Sequence, residues 1–258
     1  MIIKACGVSH VGKSREHNED NLFVGGYIRD DLSRENVIMQ KDHQTEPFAY
    51  AVFDGLGGGS YGEEASRIAA EIFREKAKCG LVDADVFVSE AHKAIRSFAR
   101  DNKINNIGTT AAALQIRDRT AHVFNVGDSK VYLFRNGQLK RLTKDHSMVQ
   151  LMIDSGLIKE SERGSSPYAA DLTQYLGMTS EEDFEPEARK QSFSVMPGDC
   201  FILCSDGLTS EVEESRISMM LTETAEKDPE TIAVDLVAQA AEKGRGRDNV
   251  TVIAVVAS

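Results

Sequence analysis

The sequence predicts an α+β fold built mainly on antiparallel strand pairing, and two observations carry that expectation. Apolar runs rich in β-branched residues are interspersed with longer segments of helical periodicity, so both element types share one chain. Strand also follows strand directly over 109–135, where Arg117-Asp118-Arg119 and Gly127-Asp128-Ser129 leave room only for short connections. Short connections join antiparallel neighbours rather than βαβ units. With 258 residues, 41% hydrophobic and 28% charged, the chain is long enough to bury a sizeable core, and one domain over 1–258 is expected.

In chain order, Ile2–Val8, Asn21–Tyr27 and Phe48–Phe53 read as strands from their β-branched and aromatic content. Gly62–Ala77 follows as a helix, with Ile68, Ala69, Ile72 and Phe73 on one apolar stripe, and Val86–Asp101 as a second. Thr109–Ile116, Ala121–Val126 and Lys130–Arg135 form the run of strands, and Ser147–Ser155 a short helix. The segment at about 156–192 is polar, weakly periodic and holds two of the five prolines, which suggests an inserted flap. Cys200–Cys204 and Val250–Val256 read as buried strands, with helices at Glu211–Leu221 and Pro229–Glu242 between them. No repeat, low-complexity tract or linker divides the chain.

Thirty Lys plus Arg against 41 Asp plus Glu give a net charge of −11, which repels phosphate backbones and anionic membranes. Nucleic acid and membrane are therefore not expected partners. The acidity is local: 181–230 carries 14 acids and 4 bases, a net of −10, leaving −1 for the rest. Cys6, Cys79, Cys200 and Cys204 lack zinc or disulfide spacing, which fits a reducing compartment. With no signal-peptide pattern and no spanning apolar stretch, the expected location is cytoplasmic, and a monomer is expected.

The sharpest local feature is a set of acids at strand ends. Asp54 ends AYAVF, Asp206 follows CFILC, Asp128 follows AHVFNVG, and Asp248 stands at the entrance to VTVIAVV. Any one of them is accounted for by ordinary Asp turn chemistry. Four together can be gathered at one sheet edge, where clustered anions need cations or protons. An all-oxygen donor set favours Mg²⁺ or Mn²⁺ over zinc or copper. Gly57-Gly58-Gly59 allows close chain approach there, and the Gly55 carbonyl is a further candidate ligand. Arg15 precedes the pair Glu19 and Asp20 by four and five residues; its planar fork suits a phosphoryl group beside such a centre, or else a surface ion pair.

In order along the chain stand R-x-x-N-E-D (15–20), D-G-x-G-G (54–58), G-T-T (108–110), V-G-D-S (126–129), T-x-D-H-S (143–147), S-D-G-L (205–208) and D-N-x-T (248–251). This series resembles the metal-dependent Ser/Thr protein phosphatases of the type 2C (PPM) class in their compact bacterial form. The resemblance implies a four-layer αββα sandwich, two antiparallel β-sheets flanked by helices, with a binuclear Mn²⁺ or Mg²⁺ centre at one end. It implies that Asp54 bridges two ions, that Asp206 and Asp248 complete one, and that the Gly55 carbonyl serves the other. Glu19 and Asp20 then hold metal-bound waters, Asp128 helps Asp206 bind a weaker third ion, and Arg15 binds the substrate phosphate.

The implied reaction is hydrolysis of phosphoserine and phosphothreonine in proteins by direct attack of a metal-bridging hydroxide, opposing a bacterial-type Ser/Thr kinase. Many eukaryotic members of that class carry His after the D-G pair, a proposed proton donor to the leaving group, whereas Leu56 stands here and leaves that role vacant. His146 is expected to be structural, and Gly108, Thr109 and Thr110 are assigned no chemistry. Two alternatives remain: a partner-switching phosphatase for one phosphoserine regulator, and a catalytically silent phosphoprotein-binding pseudophosphatase. The second should lack metal carboxylates, and the expected ones are all present.

Overall fold

The computed structural model describes residues 1–29, 37–42, 48–57, 61–179, 184–224 and 228–258. The strands are β1 (Ile3–His10), β2 (Asn21–Val24), β3 (Tyr27–Ile28), β4 (Val37–Asp42), β5 (Phe48–Phe53), β6 (Gly55–Gly57), β7 (Ile107–Thr109), β8 (Ala111–Arg117), β9 (Thr120–Val126), β10 (Lys130–Arg135), β11 (Gln138–Arg141), β12 (Arg189–Ser194), β13 (Cys200–Cys204) and β14 (Val250–Ala257). The helices are α1 (Gly62–Ala77), α2 (Ala84–Asn102), α3 (Met148–Asp154), α4 (Asp206–Thr209), α5 (Glu214–Glu223) and α6 (Pro229–Ala238).

Two six-stranded sheets, ordered β11-β10-β13-β14-β1-β4 and β12-β9-β8-β5-β2-β3, are antiparallel throughout. Alternation along the central strands explains the layers. In β13, Phe201 and Leu203 point into the inter-sheet core with Tyr50, Leu114 and Ile253. Cys200, Ile202 and Cys204 point outward onto Leu208, Ile217, Ile232 and Leu236 from α4 to α6. Both faces are therefore buried, which is why CFILC shows no polar alternation. On the other sheet Ala49, Ala51 and Phe53 face α1 and α2, and the rings of Phe23, Phe53, Phe73, Phe87 and Phe124 pack at centroid distances of 5.2 to 6.3 Å. The expected α+β sandwich with helices on both outer faces is what forms.

The α1 expectation holds to the residue. Helix α2 starts at Ala84, two residues before the expected Val86, because the Asp83 side chain accepts from the Asp85 and Val86 amides, a cap that contributes about 1 kcal/mol. Two expected strands are each divided. Asn21–Tyr27 turns back on itself at Gly25-Gly26, where φ is +60° and +82°, making the β2–β3 hairpin. Thr109–Ile116 breaks at Thr110, opposite Asp54. The segment expected as a flap over 156–192 holds a 3₁₀ turn at Glu160–Ser165 and two isolated bridges, Ser147 to Leu172 and Thr109 to Leu176. Its last residues enter β12, which pairs with β9, so the sheet begins before the expected boundary. Gly58 and Gly59, named above for close approach, lie outside the described residues. Among those described, no helix is long and apolar enough to cross a membrane.

Candidate metal centre

Strand register brings the acids to one edge of the sandwich. In the first sheet Lys130 pairs with Cys204, Cys204 with Val252, and His10 with Val250, so the loops holding Asp128, Asp206 and Asp248 emerge side by side. In the second sheet Asn21 pairs with Phe53 and Ala111 with Val126, which sets Asp20 and Asp54 at the corresponding edge.

Asp54 sits where two paired strands bend together, from β5·β8 into the small β6·β7 sheet. Its backbone is held on both sides: the Asp54 N–H donates to Thr110 Oγ1 at 3.1 Å, while the Thr110 N–H and Thr109 Oγ1 each donate to the Asp54 carbonyl at 2.9 Å. Thr110 Oγ1 also lies 2.6 Å from Ser129 Oγ, tying Asp54 to the Asp128 loop. The G-T-T motif thus fixes the backbone that carries the central acid. Gly127 in that loop needs its φ of +91°, and a Cβ there would lie 2.6 Å from the Thr110 methyl.

Asp20 is buried, and its Oδ2 accepts from Ser205 Oγ and Thr251 Oγ1, both at 2.7 Å. Thr251 Oγ1 is 2.8 Å from Ser9 Oγ, which accepts from Asn18 Nδ2 at 2.8 Å. Since Thr251 spends its hydrogen on Asp20, Ser9 donates to Thr251, and the donors run in one direction from Asn18 to the carboxylate. Glu19 lies against the α1 N-terminus, where the Gly62 N–H donates to its carboxylate. Gly55 opens β6 opposite Thr109 and packs against the carbonyls of Glu19 and Gly62. Asp248 Oδ2 accepts from Arg15 Nη2 at 2.9 Å, and both side chains are partly open to solvent.

The electrostatics are those of anions short of cations. Burial, then the charges of Asp20, Asp206, Asp128 and Asp248, hold the Asp54 carboxyl well above the usual carboxylate range. Burial pushes Asp20 up to about 7, against the opposing hydrogen bonds of Thr251 and Ser205. Burial and Asp206 push Asp128 up to about 7, with Lys130 opposing. Burial raises Asp206 and Glu19 as well. Among the described residues, no three His, Cys, Asp or Glu side chains are already closed around a point where an ion could sit. The reason is visible in their partners: Asp248 is turned to Arg15, Asp20 to two hydroxyls, and Glu19 to Gly62. Five buried or half-buried aspartates in mutual electrostatic reach, offering oxygen alone, nevertheless fit hard divalent cations.

Asn18, Ser9, Asn249, Thr251, Ser205 and Lys130 have no role among the sequence expectations, and Thr110 no chemistry. Asn18, Asn249, Thr251, Ser205 and Thr110 stand inside the quoted motifs, which was the available signal. His146 is buried, and its Nδ1 accepts from the Gly127 N–H at 3.1 Å while its own N–H donates to the Gly127 carbonyl. It therefore braces the Asp128 loop. Burial and Arg189 lower its pKa to about 4, so the folded state binds its proton less readily than the unfolded chain does near 6.5. The stability it supplies is complete above about 6.5 and is lost as pH falls toward 4, by up to about 3 kcal/mol. Urea unfolding of wild type and His146→Gln at pH 7 and pH 4.5 checks this: the wild type should lose more stability on acidification than the variant, and equal losses refute it.

A helix-flanked β-sandwich with oxygen donors gathered at one edge is the arrangement that a site for hard divalent cations requires. The protein phosphatase 2C family model matches residues 26–239, and the chain belongs to that family. The serine/threonine phosphatase stp of Listeria monocytogenes is 31% identical over 258 residues, covering 95% of this chain and 92% of its own. The serine/threonine protein phosphatase PstP of Mycobacterium tuberculosis is 28% identical over 98% of this chain but only 45% of its own length, so the chain spans about half of that relative. A crystal structure of the PstP catalytic domain in complex with two manganese ions superposes with a TM-score of 0.78 at 25% identity, covering 99% of this chain and 98% of that one.

Proposed function

We propose that this chain hydrolyses phosphoserine and phosphothreonine in proteins with two Mn²⁺ or Mg²⁺ ions, and that it opposes a Ser/Thr kinase in the cytoplasm. The observation that carries the reading is the edge itself, where mutually repelling aspartates stand beside an arginine. Asp54, Asp206, Asp248 and the Gly55 carbonyl would hold the two ions, Asp128 with Asp206 a weaker third, and Glu19 and Asp20 the surrounding water. Ions bound there lower the pKa of water and neutralise phosphoryl charge.

The chain's own groups do the rest. Arg15 is half exposed and presents its fork over the aspartates, where it can take two phosphate oxygens once Asp248 turns to a cation. Ser205 and Thr251 hold Asp20 in one orientation, so the water shell meets a fixed acceptor. Leu56 offers no proton, so that role passes to another donor, for which water at the centre is the candidate. A cavity of about 800 Å³ runs from Asp128 and Asp206 past Arg141, Arg163 and Glu214 beside the 3₁₀ turn, and gives room for the peptide around the phosphoresidue. We read 1–258 as one catalytic unit, with the segment from 156 to the start of β12 as its flap.

Purified protein with added Mn²⁺ should release phosphate from a phosphothreonine peptide and from 4-nitrophenyl phosphate. Folded protein that releases none from either would end the proposal.

A further inference from the structure

The D-N-x-T motif contributes Asp248 to the centre and Thr251 to the Asp20 relay, which leaves Asn249. Its side chain is buried, and three of its four hydrogen-bonding positions are used. Asn249 Oδ1 accepts the Glu19 N–H at 2.8 Å, and Nδ2 donates to the Val11 carbonyl at 2.8 Å and the His17 carbonyl at 3.0 Å. Those three partners span both ends of the loop that carries Arg15. One side chain, 230 to 238 residues away in sequence from its three partners, thus replaces the regular pairing that this loop lacks.

The same segment grips the loop from outside. The Lys13 N–H donates to the Gly246 carbonyl at 2.8 Å, and the exposed Lys13 ammonium donates to the carbonyls of Glu242 and Gly244. Inside, the Asn249 N–H donates to Asp248 Oδ1 at 2.9 Å while Arg15 donates to Asp248 Oδ2 at 2.9 Å. The residue that orients Asp248 through its backbone therefore also anchors the Arg15 loop through its side chain. Glu19, held at its N–H by Asn249, is held at its carbonyl by Ser66 Oγ at 2.7 Å, so the loop's far end is fixed on two sides.

We propose that Asn249 is a positioning residue for substrate phosphate: it sets the Arg15 guanidinium at a fixed height over the aspartates, and its loss frees the loop. The inference rests on the reading of Arg15 as the phosphate-binding arm. A floating Arg15 must be ordered at each encounter, which weakens phosphate binding without removing any group that touches it.

The test uses the Mn²⁺-loaded protein, with inorganic phosphate as a competitive inhibitor of 4-nitrophenyl phosphate hydrolysis. The inhibition constant for phosphate is measured in wild type, Arg15→Ala, Asn249→Ala and the double variant. Losing a charged phosphate contact should raise it about tenfold in Arg15→Ala. Asn249→Ala should raise it several-fold, and the double variant should match Arg15→Ala, because an anchor has no effect once the arm is gone. Additive effects, or no effect of Asn249→Ala, overturn the proposal. No effect of Arg15→Ala instead overturns the reading beneath it. If Asn249→Ala fails to fold, Lys13→Met loosens the same loop at an exposed position by removing the two ammonium bonds, and it should weaken phosphate binding in wild type but not in Arg15→Ala; equal weakening in both backgrounds refutes the anchor.

Discussion

Asp54→Asn is expected to cut phosphatase activity by at least about 10³-fold while making the metal-free protein more stable. The two effects have one cause. The carboxyl of Asp54 is held far above its ordinary range by burial and by four neighbouring aspartates, so ionising it at neutral pH opposes folding. The amide keeps the shape and the Asp54 backbone bonds to Thr109 and Thr110, and removes only the charge. Without an ionisable group there the metal-free cluster repels itself less, and the amide would be a poorer ligand for the ions proposed to bind there. Thermal unfolding in chelator and a phosphate-release assay in Mn²⁺ read the two effects on one preparation. Lower stability of the variant in chelator would mean that Asp54 is not electrostatically strained, whatever the assay shows.

Much of this site was legible because its chemistry is local in sequence. An acid at the end of an apolar run, followed by Gly, declares itself at Asp54 and Asp206 without any knowledge of the partner strand. The relay from Asn18 through Ser9 and Thr251 to Asp20 was not legible, since Ser9 and Thr251 are 242 positions apart and each hydroxyl alone reads as an ordinary strand residue. The break at Thr110 was hidden for the same reason: Thr-Thr has strand propensity, and the bend comes from bonds to Asp54, 56 positions earlier. Strand β12 has an exposed polar pattern with no buried face to announce it, and only its pairing with β9 defines it. By contrast β11 could have been read. Asn136-Gly137, at φ +53° and +77°, is the two-residue turn that returns a strand on its neighbour, and the expected strand Lys130–Arg135 ends directly before it, as β10 does.

Divalent ions should stabilise this protein by an amount that grows with pH. At a free Mn²⁺ concentration about a hundredfold above its dissociation constant, one site adds about 2.7 kcal/mol, or about 5–10 °C in Tm for a chain of this size. Asp20 and Asp128 ionise at about 7 in the folded metal-free state, above the unfolded carboxylate range. Their burdens on folding are therefore largest above 7 and fade as pH falls toward 4, where both states are protonated. Ions compete with those protons, so the increment in Tm between Mn²⁺ and chelator should be largest near pH 7.5 and shrink by pH 5. His146 acts in the opposite direction over the same range, but it contributes equally with and without ions, so taking the difference removes it. An increment that stays flat from pH 5 to 7.5 would show that ions and protons do not share these carboxylates. An increment that survives in Asp54→Asn at full size would place the ions away from the edge where five aspartates, a hydroxyl relay and Arg15 meet.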